Sequence, residues 1–492
     1  MTVQRLEPQG VDVMRPDIKT APEAYRDRLN DLFDTWARVR SRNQRLRNYY
    51  TQHVHVKNLG ISIPPQLERV ETVSGWCHKA VQAHAMRSIF DGYVFAGETD
   101  GGLERLVSAN RLRSLYQQAV SSSLVYGVSF LSAMRGVGNQ PAVKVRLFSA
   151  NQACALWDKD ADAIGCAVVL SNVDNGGNPS EFVAHFPDAV LTFRRSGSNW
   201  ACDVEGNLTG RPMVEPVIFD PDPDRPLGHS MLTPELTSIV DKAMRDVLRM
   251  EVGAEFFTAP QRYILGASEN LFSASTGDTE ADEETDAEPA SDTAKLKAYY
   301  GALWAITRDE SGELPQVGEF SAPGADNFTK VFENDAQRFS GATNVPLAQL
   351  GVLSNTYTSS DALGAANDPL ILEVETMNRR NAETMENLAR LMMAVRDETP
   401  VHELDEAAWA VQAYMRDPSK STLAANADAW TKIVSADSSL VGTDVMYEGI
   451  GFNRPTISRI RAEQGKANAT AELGTIAELL SGARAKADQG GE

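Results

Sequence analysis

The residues best equipped for chemistry stand at 222–229, where Asp222 and Asp224, with His229 nearby, could be read as a hydrolytic cluster. The surrounding PDPDRP run points to another use, because prolines keep the chain extended and acids between them cap turns through their side-chain oxygens. His53 and His55 would share one face of a strand and could ligate a metal with an acid, although histidines so placed are more often solvated. Glu373 and Glu375 fall on different sides of a helix and cannot work as an acid–base pair. Cys77, Cys154, Cys166 and Cys202 lack CxxC spacing, so neither a zinc site nor a disulfide framework is indicated and reduced thiols are expected. There is no GxxxxGK[ST], HExxH or GxSxG motif, and no GxGxxG opening a helix after a strand. No catalytic role, cofactor or metal is expected.

The elements that would position any site must therefore carry the reading. The 492 residues exceed one ordinary core, and 42% hydrophobic with 23% charged residues is a globular composition. A formal net charge of −20 argues against an extended basic face gripping phosphates, so DNA would be passed rather than held. No run of about 18 apolar residues exists to cross a bilayer, and the N-terminus lacks signal-peptide layout. The expectation is a cytoplasmic product with no membrane partner.

Residues 1–21 read as a loose arm. Pro22 opens a helix to about residue 50, with Leu29, Leu32, Phe33, Trp36, Val39 and Leu46 near helical spacing; Arg38, Arg40, Arg42, Arg45 and Arg47 fill its late turns without an acid, most simply as a solvated face. A second helix is expected over 102–126, then strands over 128–134, 142–148, 163–170, 181–186 and 189–194 in an antiparallel sheet. The fold class is α+β. The run at 273–293 has eight acids and no base and reads as a mobile loop. Beyond it the pattern is helical over 327–341, then over 359–397 with a kink at Pro369, then in shorter helices from 403.

The segment 221–266 has an extended proline-rich entry, an N-cap at Thr233, Pro234 as first helical residue, and an exit at Pro260. Leu236, Val240, Ala243, Val247, Met250, Ala254 and Phe257 recur at steps of four and three, one apolar stripe along about seven turns. Such a 25-residue helix is a rod of about 37 Å. Lys242, Arg245 and Arg249 form a basic edge beside the stripe.

The wording of this segment, from PLGHS through the helix to AEFFTAPQRYILG, resembles the portal proteins of tailed phages, particularly those infecting actinobacteria. Two further stretches match in order: SSLVYGVSFL at 122–131, similar to the family's helix-to-strand turn, and DAQRFSGATNVPLAQLG at 335–351, similar to its passage into a channel-facing loop. The likeness covers most of residues 22 to 400.

The resemblance implies a portal-type fold with an α/β wing over 22–232, a first stem helix over 233–257, a clip over 258–325 containing the acidic insertion, a second stem helix over 326–342, a channel loop over 343–358, a long kinked helix over 359–402, a helical crown over 403–482 and a flexible tail over 483–492. It implies a ring, usually of twelve copies, at one capsid vertex of the virion, assembled in the host cytoplasm. Its partners would be the terminase, head–tail adaptors, the major capsid and scaffolding proteins, and the double-stranded DNA driven in and later released. Gln349, Ser354, Asn355, Thr356, Tyr357 and Thr358, all uncharged, would line the channel, where a charge-poor loop can slide along phosphates. Lys242, Arg245 and Arg249 would pair between copies or mark the basic points of the stem. Other readings are a capsid or tail-tube protein, or a phage nuclease or head protease, which would need a constellation the sequence does not offer.

Overall fold

The first helix, α1 (Glu23–Thr51), follows Pro22 and turns Leu29, Leu32, Phe33 and Trp36 inward. A computed structural model describes residues 15–53, 74–95, 101–174, 177–258, 262–265, 316–319, 326–352, 364–419, 423–452 and 456–467, which fall into two compact units, Met1–Pro418 and Ser419–Glu492. The acidic run, residues 1–14 of the expected arm and His55 lie outside the described residues; the rest of the arm is ordered, with a 3-10 turn at Ile18–Thr20 and Ala21 buried.

In the first unit α1 is followed by α2 (Trp76–Ala85), β1 (Phe90–Val94), α3 (Leu103–Ala109) and α4 (Leu112–Tyr126). The sequence predicts one helix over 102–126, but the chain breaks at Asn110 and Arg111. The buried Asn110 donates to Leu106 O (3.1 Å) and Val143 O (2.8 Å) and accepts from Val145 N (2.9 Å). Its amide thus stitches the helix end to a strand, and Arg111 takes a left-handed φ of 51° to let the chain restart.

Two antiparallel sheets come next. β2 (Val128–Arg135) pairs with β3 (Val143–Ser149) and β9 (Val214–Ile218), in the order β3-β2-β9. Pro216 is tolerated because β9 is an edge strand. The second sheet runs β4 (Ala153–Asp158), β5 (Ala163–Val173), β6 (Pro179–His185), β7 (Ala189–Ser196) and β8 (Asn199–Gly206) in sequence order. One face of it packs under α1, where Phe182 meets Phe33 and Trp36 edge-on at 5.5 and 6.0 Å. The other face (Ala155, Val169, Val183, Val190) packs on Phe130, Phe148 and Val214 of the smaller sheet. The far side of that sheet (Leu131, Ala133, Val145) joins the helical core. The layers are therefore helix, sheet, sheet, helices, each strand alternating between two cores.

That helical core contains α5 (Pro234–Thr258), α6 (Asp326–Thr343), α7 (Leu347–Leu350) and α8 (Asp368–Asp397); β10 (Arg262–Leu265) and β11 (Gln316–Glu319) form a separate hairpin. Pro369 occupies the first turn of α8, not its interior. The expected kink is corrected accordingly: in the first turn the missing N–H had no partner to lose, so this proline starts the helix. After α9 (Glu406–Trp409), β12 (Gln412–Met415) pairs with β1, so residues 403–418 pack within the first unit. The second unit holds α10 (Leu423–Ala436), α11 (Asp444–Ile450), capped by Thr443 Oγ1, and a helix over 456–467.

Candidate functional site

The helix α5 begins as its residues dictate: Thr233 Oγ1 accepts from Leu236 N at 3.3 Å and Pro234 stands first. Its buried apolar side chains among the described ones are Leu236, Ile239, Val240, Ala243, Met244 and Leu248. The row 236, 240, 244, 248 advances in steps of four, whereas the expected stripe alternates three and four. The buried face consequently rotates away from Val247, which is half-buried, and Met250, which is 36% exposed. The Phe257 side chain lies outside the described ones.

Between α5 and α6 the basic edge is engaged within the subunit. Lys242 Nζ lies 2.7 Å from Asp335 Oδ2 and 2.8 Å from Asp246 Oδ2, and Arg249 reaches Asp246 Oδ1 at 2.9 Å. The Asp335 side chain has no solvent exposure. Burial opposes the charge on Lys242, but hydrogen bonds to Asp246 and Asp335 outweigh it and hold its pKa above the ordinary value. Burial likewise opposes the Asp246 carboxylate, and Lys242 with Arg249 more than compensates, holding it low. Tyr49 of α1 donates to Asp241 of α5 at 2.9 Å, and burial with that bond raises its pKa. Arg245 is half-buried and makes no ion pair among the described residues.

The return from α6 is a hook over 344–352. Asn344 leaves the helix at φ 55°, Val345 and Leu350 are buried, Pro346 caps α7, and Gly351 ends it at φ 84°. Trp76 of α2 packs 5.0 Å from Phe332 and 5.6 Å from Phe339 of α6. Gln349 is half-buried and donates to Asn367 Oδ1 at 2.9 Å, so its amide is engaged within the subunit. Ser354, Asn355, Thr356, Tyr357 and Thr358 lie outside the described residues. Asn344 Nδ2 donates to Glu373 Oε2 at 3.0 Å, and His84 Nε2 lies 3.2 Å from the same oxygen. Burial pushes the Glu373 carboxyl up, and contact with His84 and Asn344 more than reverses it.

The other candidates resolve simply. Asp222 accepts from Asp224 N (2.8 Å) and Arg225 N (2.7 Å), an Asx turn, with His229 Nε2 3.4 Å away. Among the described residues no cluster of three His, Cys, Asp or Glu side chains could hold a metal, and no helix is long and apolar enough to cross a membrane. Sequence reasoning missed α2 entirely. Its apolar positions (Trp76, Cys77, Ala80, Val81) were a findable signal, but the buried His84 among them was not.

Compared with known proteins, the chain is 26% identical over 481 residues to the portal protein of Mycobacterium phage D29, covering 93% of this chain and 92% of that one. It is 24% identical over 475 residues to the portal protein of Mycobacterium phage L5, again covering 93% and 92%. It is a homologue of actinobacteriophage portal proteins. No family model matches this portal homologue. Solved structures similar to it include chains from the virion of a native gene transfer agent particle (TM-score 0.41, 12% identical, 77% of this chain and 89% of that one) and from the neck of that particle computed with C12 symmetry (0.40, 11%, 77% and 89%). The neck of the empty particle computed with C6 symmetry gives 0.42, 12%, 77% and 90%.

Proposed function

We propose that the chain is a portal subunit: a ring of copies, twelve in the family's usual form, set at one vertex of the phage head, through which double-stranded DNA enters under the terminase and later leaves toward the tail. The observation that carries this reading is the similarity to two phage portal proteins along 93% of the chain. In this reading α5 and α6 are the stem, the layered sheets with α1–α4 the wing, 258–325 the clip that meets the terminase and the head–tail adaptors, and 343–358 the channel segment. The crown is 403–482, of which 403–418 pack within the first unit; assembly takes place in the host cytoplasm with capsid and scaffolding proteins.

The geometry agrees with a passive conduit. Two of the five basic side chains of the stem helices, Lys242 and Arg249, are engaged inside the subunit on Asp246 and Asp335, and the eight acids of the two helices outnumber the bases. A duplex passing an acidic or neutralised wall makes few phosphate contacts, so it is not held by counterion release. Arg245, with the part-exposed Val247, Met250 and Val331, is left to meet the next copy across a heterologous interface. Negative-stain imaging of the purified chain tests the reading: rings with a central hole are expected, and a monodisperse monomer at high concentration, or tubes and shells, would overturn it.

A further inference from the structure

We propose that His84 and Arg87, at the end of α2, are positioning residues that mount both feet of the channel segment on one helix; this rests on the assignment of 343–358 to the channel. Two acceptors on the α8 side each take one contact from α2 and one from the hook. Glu373 Oε2 meets His84 Nε2 at 3.2 Å and accepts from Asn344 Nδ2 at 3.0 Å. Asn367 Oδ1, just before α8, accepts from Arg87 Nη2 at 2.9 Å and from Gln349 Nε2 at 2.9 Å.

These junctions bracket the part of the chain after the hook: Asn344 and Gln349 stand in the first residues of the 343–358 segment, and Asn367 and Glu373 follow it. His84 is fully buried, with Nδ1 2.9 Å from Ala80 O, so its ring is fixed by its own helix before it reaches Glu373. One residue beyond Arg87, Ser88 Oγ donates to Asn378 Oδ1 at 2.6 Å, carrying the polar contact further along α8. Apolar packing of Val345 and Leu350 would hold the hook down without fixing where it sits, since burial is non-directional. Hydrogen bonds are directional, so those from Asn344 to Glu373 and from Gln349 and Arg87 to Asn367 set where the hook sits, while the His84 ring packs its Nε2 against Glu373.

The test is amide hydrogen exchange on the full-length protein carrying Arg87→Ala or Asn344→Gly, the glycine keeping the left-handed backbone while removing the side-chain link. Exchange over 344–350 and 366–372 should rise about tenfold while α4 is unchanged. Arg87→Lys, which keeps a donor, should recover much of the protection. Unchanged exchange in both variants would overturn the mount. Phage built with them separates the two ideas: raised exchange with lost packaging or ejection supports both, whereas raised exchange with normal titre leaves the mount standing and removes the segment from the channel.

Discussion

Replacing Lys242 by methionine should weaken the α5–α6 pair more than any other single change to its charged edge. Lys242 makes contacts of 2.7 and 2.8 Å to Asp335, whose side chain is fully buried, so the variant strands a carboxylate that water cannot reach. Removing one partner of a fully buried pair costs about 3–5 kcal/mol. Lys242 itself keeps 39% of its side-chain surface, and solvent screening reduces the expectation to about 2 kcal/mol. Asp335→Leu alone should cost less, about 1 kcal/mol, because Lys242 retains Asp246 at 2.8 Å. The double variant Lys242→Met/Asp335→Leu replaces the pair by apolar volume and should recover most of the loss, giving a coupling of about 1.5–2 kcal/mol. The assay is urea unfolding, following the transition that reports the first compact unit and requiring an unchanged slope among the variants. Additive losses, with a coupling under about 0.5 kcal/mol, would show that the pair is only a neighbourly surface contact and refute the argument.

Gly228→Ala should be among the most damaging small substitutions: φ is +77°, and an added Cβ would lie 2.2 Å from Phe219 O and 2.9 Å from Gly127 O, both backbone atoms. A loss of about 3 kcal/mol or more, read as lost soluble expression or a large fall in melting temperature, is expected. Two buried groups should give opposed pH slopes. Burial pushes His185 down from 6.5 to about 4, so its contribution is present above pH 6.5 and is lost as pH falls through 4. Burial pushes Glu215 up from 4.5 to about 7 against the pull of Arg211, so its contribution is present below pH 4.5 and is lost as pH rises through 7. His185→Leu should therefore make the melting temperature rise on acidification from pH 7 to 4.5 relative to wild type, and Glu215→Gln should make it fall; parallel profiles would contradict both assignments. Pro369→Ala should change stability by less than about 1 kcal/mol in thermal melts, since the proline occupies the first helical turn and loosens only the unfolded chain when removed.

How legible these features were in the residues follows from the range of the forces involved. Helices α1 and α5 show in the sequence because capping and 3.6-residue periodicity are local, and Leu29, Leu32, Phe33 and Trp36 repeat without interruption. Strand β8 is faint in the sequence: Trp200, Cys202 and Val204 alternate along NWACDVEG, but on this edge strand only Trp200 and Cys202 pack against the core and the rest is solvated. The break at Asn110 is invisible for the opposite reason: it exists to serve Val143 and Val145, partners more than 30 residues away. Pro369 misled because a proline's meaning depends on where its helix starts, and that start is set here by Asn367 and its tertiary partners. Lys242 and Arg249 read as a free basic edge because their acids are easy to overlook: Asp246 lies on the same helix, and Asp335 arrives from 93 residues downstream.

The same distinction explains why polar groups are buried where they are. A core of Leu, Met and Val will hold α5, α6 and α8 together in several nearly equivalent registers, since apolar contact has no preferred direction. Directional contacts do not tolerate a slip between registers: a one-turn shift of α8 would take the buried Asn378 away from Ser88, and the half-buried Glu373 and Asn367 away from Asn344, Gln349 and Arg87. On the proposed portal reading, a subunit that repeats identically around a ring while passing a moving duplex gains more from one fixed register than from extra stability. The polar contacts at Lys242–Asp335 and along α2–α8 sit at the two places where a slip would move the hook, which is where that requirement is strictest.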